Sequence, residues 1–165
     1  MAESVRVLHQ SGLEAAMKVS EIMTPNPACC LLDTNLREVA RMFVDHDCGA
    51  VPVVDSPGNR RPIGIVTDRD IACRAVAAGK NALELTARDC MSAPVVTVSL
   101  EASLNDCCEA MEKNRVRRVL VIDRTGACCG IVSQADIAVR GKESKAAEVV
   151  KGVSEPTSSP SAIPT

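Results

Sequence analysis

Apolar residues recur along this chain with two different periods, and their alternation predicts its elements. Leu36, Val39, Ala40 and Phe43 fall at the three-and-four spacing of one helical face between positions 36 and 46. Leu104, Cys107, Cys108 and Met111 repeat that spacing between 104 and 114. Thr34 and Ser103 stand near the starts of these helices, where a hydroxyl caps free N–H groups. Short apolar runs bounded by Pro and polar residues predict strands at 28–32 and 95–99. Runs at 51–55 and 63–67 flank a Pro-Gly-Asn turn, and runs at 119–123 and 129–133 flank Thr125-Gly126, so each pair predicts a hairpin. A helix follows each hairpin, one over 68–78 stopped by Gly79 and one from 134 to about 140 stopped by Gly141.

The elements come in two matching sets because the chain repeats itself. Glu21-Ile22-Met23-Thr24 is echoed by Asp89-Cys90-Met91-Ser92, an offset of 68 that also aligns Val51-Pro52-Val53-Val54-Asp55 with Val119-Leu120-Val121-Ile122-Asp123. The offset then falls to 66, because the first hairpin turn is two residues longer, and Gly64-Ile65-Val66-Thr67 matches Gly130-Ile131-Val132-Ser133, with Asp70 and Asp136 three residues on. A copy of about 60 residues buries too little surface to be comfortably stable alone. The expected fold is therefore α/β (α+β), two pseudo-symmetric β-α-β-β-α units packed through their sheets. The expected divisions are an N-terminal helical segment at 1–17, the copies at 18–80 and 86–142, and a flexible tail at 143–165.

Composition narrows the class. In 165 residues, 19 Lys and Arg face 21 Asp and Glu, a formal charge of −2, which argues against a nucleic-acid binder with a strongly basic face. There is no Trp or Tyr and only one Phe, so aromatic platforms for single strands are missing and the core must come from Val, Ile, Leu, Ala, Met and Cys. No apolar run reaches the ~20 residues of a membrane span, and positions 1–10 lack the apolar block of a signal peptide. Nine cysteines, an odd number without a secretory signal, point to free thiols in a reducing cytoplasm. Most occupy apolar positions and read as small core hydrophobes. The adjacent pairs (Cys29-Cys30, Cys107-Cys108, Cys128-Cys129) lack zinc-ribbon spacing, and a metal or redox role is the alternative. No Ser-His-Asp set and no Walker-type loop is present, which argues against an enzyme.

The repeated hydroxyl-x-x-Asp of Thr67/Asp70 and Ser133/Asp136 ends a strand and starts a helix. Hydroxyl and helix-start N–H groups there suit phosphate oxygens, and the Asp suits a ribose diol. The same residues also suit a helix cap. The duplicated Met-Thr/Ser, Val-Pro-Val-Val-Asp and Gly-Ile-Val-Thr/Ser-x-x-Asp segments resemble a tandem pair of CBS (cystathionine β-synthase) domains over about 18–140. The variant Thr67-Asp68-Arg69-Asp70-Ile71 looks like that of stand-alone pairs.

The resemblance implies two clefts for adenosine-containing ligands: AMP, ADP, ATP or S-adenosylmethionine, with no cofactor required. In the first, Ser133 would hold phosphate, Asp136 the ribose, and Ile131 would line the pocket, with adenine near Thr24, Ala28, Cys29, Gly49 and Ala50. The second would combine Ile65, Thr67 and Asp70 with Ser92, Val96, Thr97, Arg117 and Arg118. A guanidinium at Arg118 would give charge-assisted bonds to phosphate. Lys113, Arg115, Arg117 and Arg118 have no basic counterpart at Asp45, Asp47, Gly49 and Ala50, so the second cleft is expected to favour more phosphates. The resemblance further implies a cytoplasmic homodimer that acts on a separate protein in trans. A structural dimerisation pair with empty clefts and a metal- or redox-responsive pair are the competing readings.

Overall fold

Capping chemistry sets where the helices begin in the computed structural model, which describes residues 17–140 and 149–153. Ser103 Oγ accepts from Asp106 N at 3.1 Å while Asp106 Oδ2 accepts from Ser103 N at 3.0 Å, a reciprocal box that opens the helix Leu104–Asn114. The helix Leu36–Asp45 is capped instead by Asn35, whose Oδ1 accepts from Arg37 N at 2.8 Å. The expected cap, Thr34, is spent one turn earlier, where its hydroxyl accepts from Leu31 N at 2.9 Å.

In chain order the elements are α1 (Val19–Ile22), β1 (Thr24–Pro25), α2 (Leu36–Asp45), β2 (Ala50–Val54), β3 (Pro62–Thr67), α3 (Asp68–Ile71), α4 (Ala87–Cys90), β4 (Thr97–Ser99), α5 (Leu104–Asn114), β5 (Arg118–Ile122), β6 (Cys128–Ser133) and α6 (Gln134–Arg140). A π-helical turn, Ala72–Val76, extends α3 and a 3-10 turn, Ala82–Glu84, precedes α4. The predicted 68–78 helix thus changes its hydrogen-bonding partway, with Ala77 N bonded to Ala72 O at 2.9 Å, and Gly79 at φ +68° ends it.

Four strands form one sheet in the order β1-β6-β5-β4, and β2 with β3 forms a second. Both predicted hairpins are present and antiparallel. The expected strand at 95–99 is β4, parallel to β5. Its counterpart at 28–32 shrinks to a single bridge, Cys30 to Val53, because the chain turns at once, Thr34 N bonding Leu31 O at 3.1 Å.

The copies exchange their short leading helices. Val19 and Ile22 of α1 are buried with Cys107, Met111, Val132 and Ile137 of the second copy, whereas Ala87 and Cys90 of α4 are buried with Leu36, Val39, Val51 and Val66 of the first. The same backbone bonds recur at the offset of 68: Leu104 N to Met17 O (2.8 Å) matches Leu36 N to Leu85 O (2.9 Å), and Val19 N to Ala102 O (2.9 Å) matches Ala87 N to Thr34 O (2.8 Å). A third cluster, with Val54, Leu120 and Cys128 at its centre, joins the two sheets. The expectation of packing through the sheets holds.

Two glycines make the exchange sterically possible. A Cβ on Gly130 would run into Met23 Sδ, and one on Gly64 would lie 2.6 Å from Met91 Sδ, so each methionine after a leading helix crosses a bare backbone on the other copy. The N-terminal segment expected at 1–17 lies outside the described residues save Met17. Part of the expected flexible tail departs from that reading: 149–153 are helical, and Val149 and Val153 are buried against the second core, because two apolar residues four apart share one helical face. The remainder of that tail lies outside the described residues. Among the described residues no helix is long and apolar enough to cross a membrane.

Candidate functional site

β1 leaves the first copy to pair with β6 of the second, Thr24 opposite Ile131, and this crossing builds one wall of a cleft. The cleft has a volume of about 460 Å³. One wall is the loop Thr24 to Ala28. The facing wall is the α2–β2 connection, His46 to Ala50, and Arg118, Ile131, Ser133 and Asp136 of the second copy close it. Seven of the residues expected in the first cleft are therefore together: Thr24, Ala28, Gly49, Ala50, then Ile131, Ser133 and Asp136.

Ser133 and Asp136 answer both sequence readings at once. Ser133 Oγ donates to Asp136 Oδ2 at 2.6 Å, Ser133 N donates to the same oxygen at 2.8 Å, and Asp136 N donates back to Ser133 Oγ at 3.2 Å. That is a capping box, and it stands in the wall of the cleft. Capping orients the pair, and cleft exposure leaves it available to a ligand.

Two residues sit elsewhere than expected. Arg118, assigned to the second cleft, lines the first. It begins β5 opposite Ser133, and its Nη2 stands 3.0 Å from where a Cβ on Gly49 would be. A side chain at position 49 would crowd that guanidinium and oblige it to shift. Asp68 reaches the same spot, its Oδ2 3.4 Å from the same point. Among the described residues Arg118 has no ion pair; the pairs there are Lys18–Glu101 and Arg74–Asp70. Cys29 is the second departure. Successive side chains of an extended segment point to opposite sides, so with Ala28 in the cleft Cys29 faces the inter-sheet cluster instead.

The second group of expected residues meets around Asp70. Ile65 and Ser92 form a two-bond bridge, 3.1 and 2.8 Å, the pseudo-symmetric mate of Thr24 and Ile131. Thr67 and Asp70 form the matching capping box. Here, however, Asp70 Oδ1 also accepts from Ser92 Oγ at 3.3 Å and pairs with Arg74 at 3.5 Å. Val96 is half-buried in the second core, Thr97 is exposed at the start of β4, and Arg117 is exposed, its carbonyl accepting from Gln134 N.

Sequence reasoning missed several lining residues. Asn26 and Asp47 both take left-handed backbone, at φ +47° each, a conformation Asn and Asp tolerate better than most, and the Pro-Asn-Pro run at 25–27 was a visible turn signal. His46 and Cys48 carried none. Arg74 and its mate Arg140 were also missed; Arg140 Nη1 donates to Ile22 O at 2.8 Å as Arg74 Nη1 does to Cys90 O at 2.8 Å, each tying an exchanged helix in place. Among the described residues no three His, Cys, Asp or Glu side chains are placed together to hold a metal ion.

Comparison with known proteins agrees with this fold. The CBS domain family model matches twice, at 19–75 and 87–142. An uncharacterised protein of Methanopyrus kandleri is 38% identical over 100 residues, covering 61% of this chain but only 50% of that protein. Hypoxic response protein 1 of Mycobacterium tuberculosis is 32% identical over 136 residues, covering 82% of this chain and 93% of its own length. The crystal structure of that protein type, with two coordinated zinc ions, superposes with a TM-score of 0.66 at 32% identity, over 74% of this chain and 98% of that one. CBSX2 in complex with AMP shares the fold at 20% identity and a TM-score of 0.63, over 75% of this chain and 95% of that one. Two family matches covering most of the chain, and the exchanged architecture they land on, make this protein a member of the CBS-domain family with a tandem pair of CBS domains.

Proposed function

We propose that this protein is a regulatory module that binds an adenosine nucleotide in the cleft between its two CBS domains and passes the signal to a separate protein. The observation that carries the reading is Arg118, a guanidinium without an ion pair among the described residues, set in the same cleft as the Ser133–Asp136 box. A cation there suits phosphate, a carboxylate suits a ribose diol, and 460 Å³ lies within the ~300–1,000 Å³ usual for small-molecule sites. The AMP held by CBSX2, on the same fold, supports the class of ligand. With Arg118 in the first cleft, preference for additional phosphates belongs there, while Asp70 of the second is already engaged by Arg74. Self-association into a homodimer, a regulatory rather than catalytic role and a cytoplasmic setting complete the proposal.

Thermal unfolding with reductant present tests it, against AMP, ADP, ATP, S-adenosylmethionine and Zn(II). Ligand that binds only the native state raises the midpoint by mass action, several kcal/mol at ~1,000-fold excess over the dissociation constant. The expected result is a rise with one adenosine ligand that disappears in Asp136→Ala and persists in Asp70→Ala. A flat response to every nucleotide refutes it.

A further inference from the structure

Two sulfurs meet where the sheets join. Cys29 and the 2% exposed Cys128 belong to one cluster although they come from different copies. Arg60, at φ +54° in the β2–β3 turn, clasps both. Its carbonyl accepts from Cys128 N at 2.8 Å, its Nε donates to Cys128 O at 3.4 Å, and its Nη2 donates to Pro27 O at 3.1 Å and to Cys29 Sγ at 3.3 Å. Four bonds hold a positive charge against one chosen sulfur.

The thiols divide their roles. The Cys128 thiol, which donates to Gly130 O at 3.7 Å, packs in the same cluster as Cys29, and a bond from it to the ionised sulfur, with the Arg60 charge, brings Cys29 down to about 7, against an opposing push from burial. The same bond and burial push Cys128 up. Burial drives Cys30 and Cys107 the other way, up to about 12. As a thiol, Cys29 donates to Pro27 O at 3.3 Å; on ionisation that carbonyl keeps Arg60 as its donor. The charged form is therefore accommodated without stranding a neighbour. Cys29 is only half-buried, so a small oxidant can reach it.

We propose that Cys29 and Cys128 form an oxidisable pair, in which Cys29 is the nucleophile toward a hydroperoxide and Cys128 resolves the product into a disulfide between the two CBS domains. The Cys29 thiolate attacks the distal oxygen of the hydroperoxide; the S–O bond forms, the O–O bond breaks, and the alkoxide or hydroxide leaves. The transferred oxygen keeps its hydrogen, which leaves a sulfenic acid on Cys29, and the departing alkoxide or hydroxide takes up a proton. The Cys128 sulfur then attacks Cys29 sulfur, the S–S bond forms, the S–O bond breaks, and hydroxide departs with the Cys128 proton as water. Two thiols are oxidised and one hydroperoxide is reduced. The bridge would anchor the residue that follows cleft-lining Ala28 to β6, so oxidation and occupancy of the first cleft share one wall.

Hydrogen peroxide treatment of the full chain, thiol blocking in denaturant and peptide mass spectrometry test this directly. A Cys29–Cys128 cross-linked peptide is expected as the dominant product, with the remaining cysteines recovered as blocked thiols. In Cys128→Ser, dimedone should label Cys29 instead. In Arg60→Gln, alkylation of Cys29 at pH 7 should slow by about three- to fivefold, the loss of thiolate outweighing its gain in nucleophilicity, and the pH midpoint of alkylation should rise. The wild-type mass spectrum stands even if a variant fails to fold. Disulfides formed instead through exposed Cys73 or half-buried Cys48 and Cys129, or a Cys29 alkylation profile like that of an ordinary thiol, would overturn the proposal.

Discussion

Arg118 and Gly49 meet across the two CBS domains, the guanidinium Nη2 3.0 Å from the place a glycine side chain would start. Neither residue is intelligible alone. With no side chain at position 49, the guanidinium lies close against the backbone there. Replacing Arg118 with Ala should weaken nucleotide binding by about 10- to 100-fold, the worth of a hydrogen bond to a charged group. Because Arg118 has no ion pair among the described residues, the unliganded fold should change by no more than about 0.5 kcal/mol. Gly49→Ala should fold as well, since Nη2 is the far end of a flexible side chain, yet lose part of the same affinity. Titration calorimetry beside denaturant unfolding separates the two effects.

Gly130 and Met23 form a tighter pair. A methyl at position 130 must displace Met23 Sδ and lies 3.1 Å from its Cγ and 3.3 Å from Val121 Cβ. Gly130→Ala should cost about 1–3 kcal/mol, the usual penalty of overpacking. Met23→Ala in the same chain should return part of that loss, a coupling that a double-mutant cycle in urea would read directly.

Exchange of the leading helices makes a prediction about place rather than size. Ile22 is 2% exposed and packs in the core of the second copy. Ile22→Ala should cost about 2–5 kcal/mol. Hydrogen exchange should show the loss mainly in β5 and β6, with β2 and β3 better protected, although Ile22 belongs to the first copy in sequence.

Acid should loosen the caps and turns. Hydrogen bonds from Thr86 backbone and hydroxyl lower Asp89, the Ser103 hydroxyl and N–H lower Asp106, and the Thr125 hydroxyl and N–H lower Asp123. Each carboxyl is a stronger acid folded than unfolded. Its stabilisation is therefore complete above the ordinary carboxylate range, near pH 4, and is lost as pH falls through that range into the lower folded values. The thermal midpoint should drop on acidification below about pH 4, and Asp106→Asn should flatten part of that slope.

How far the chain could be read without coordinates follows from the range of the interactions. The hairpins, the two long helices and the repeat were legible because they rest on periodicity and on turn residues such as Thr125-Gly126. The Ser133–Asp136 box was legible because its partners stand three residues apart. The strand expected at 28–32 was not, because Thr34 spends its hydroxyl on a turn at Leu31, a choice that propensity does not reveal. Arg118 was expected in the second cleft and lines the first, because pseudo-symmetry says which strand a residue begins but not where a long side chain points. The exchange of α1 and α4 was invisible for a related reason: the repeated Met and Gly were both seen, but nothing local states that each Met lies on the other copy's Gly.

That exchange gives the two domains different histories on the ribosome. The first copy is completed by α4, which follows it by a few residues, so its core can close while the nascent chain is still emerging. The helix α1 is made first and finds no partner until Ala102 and α5 of the second copy emerge, and its site is complete only when β6 and α6 arrive and Arg140 bonds Ile22 O across nearly the whole pair. Two copies that look alike when finished are thus assembled on different clocks, one through short-range closure and the other through contacts such as Ile22 to Arg140, 118 residues apart. For most of its synthesis the chain exposes Val19 and Ile22 as an unclaimed apolar edge, and that interval is when it is most open to capture by chaperones or to pairing with a second chain.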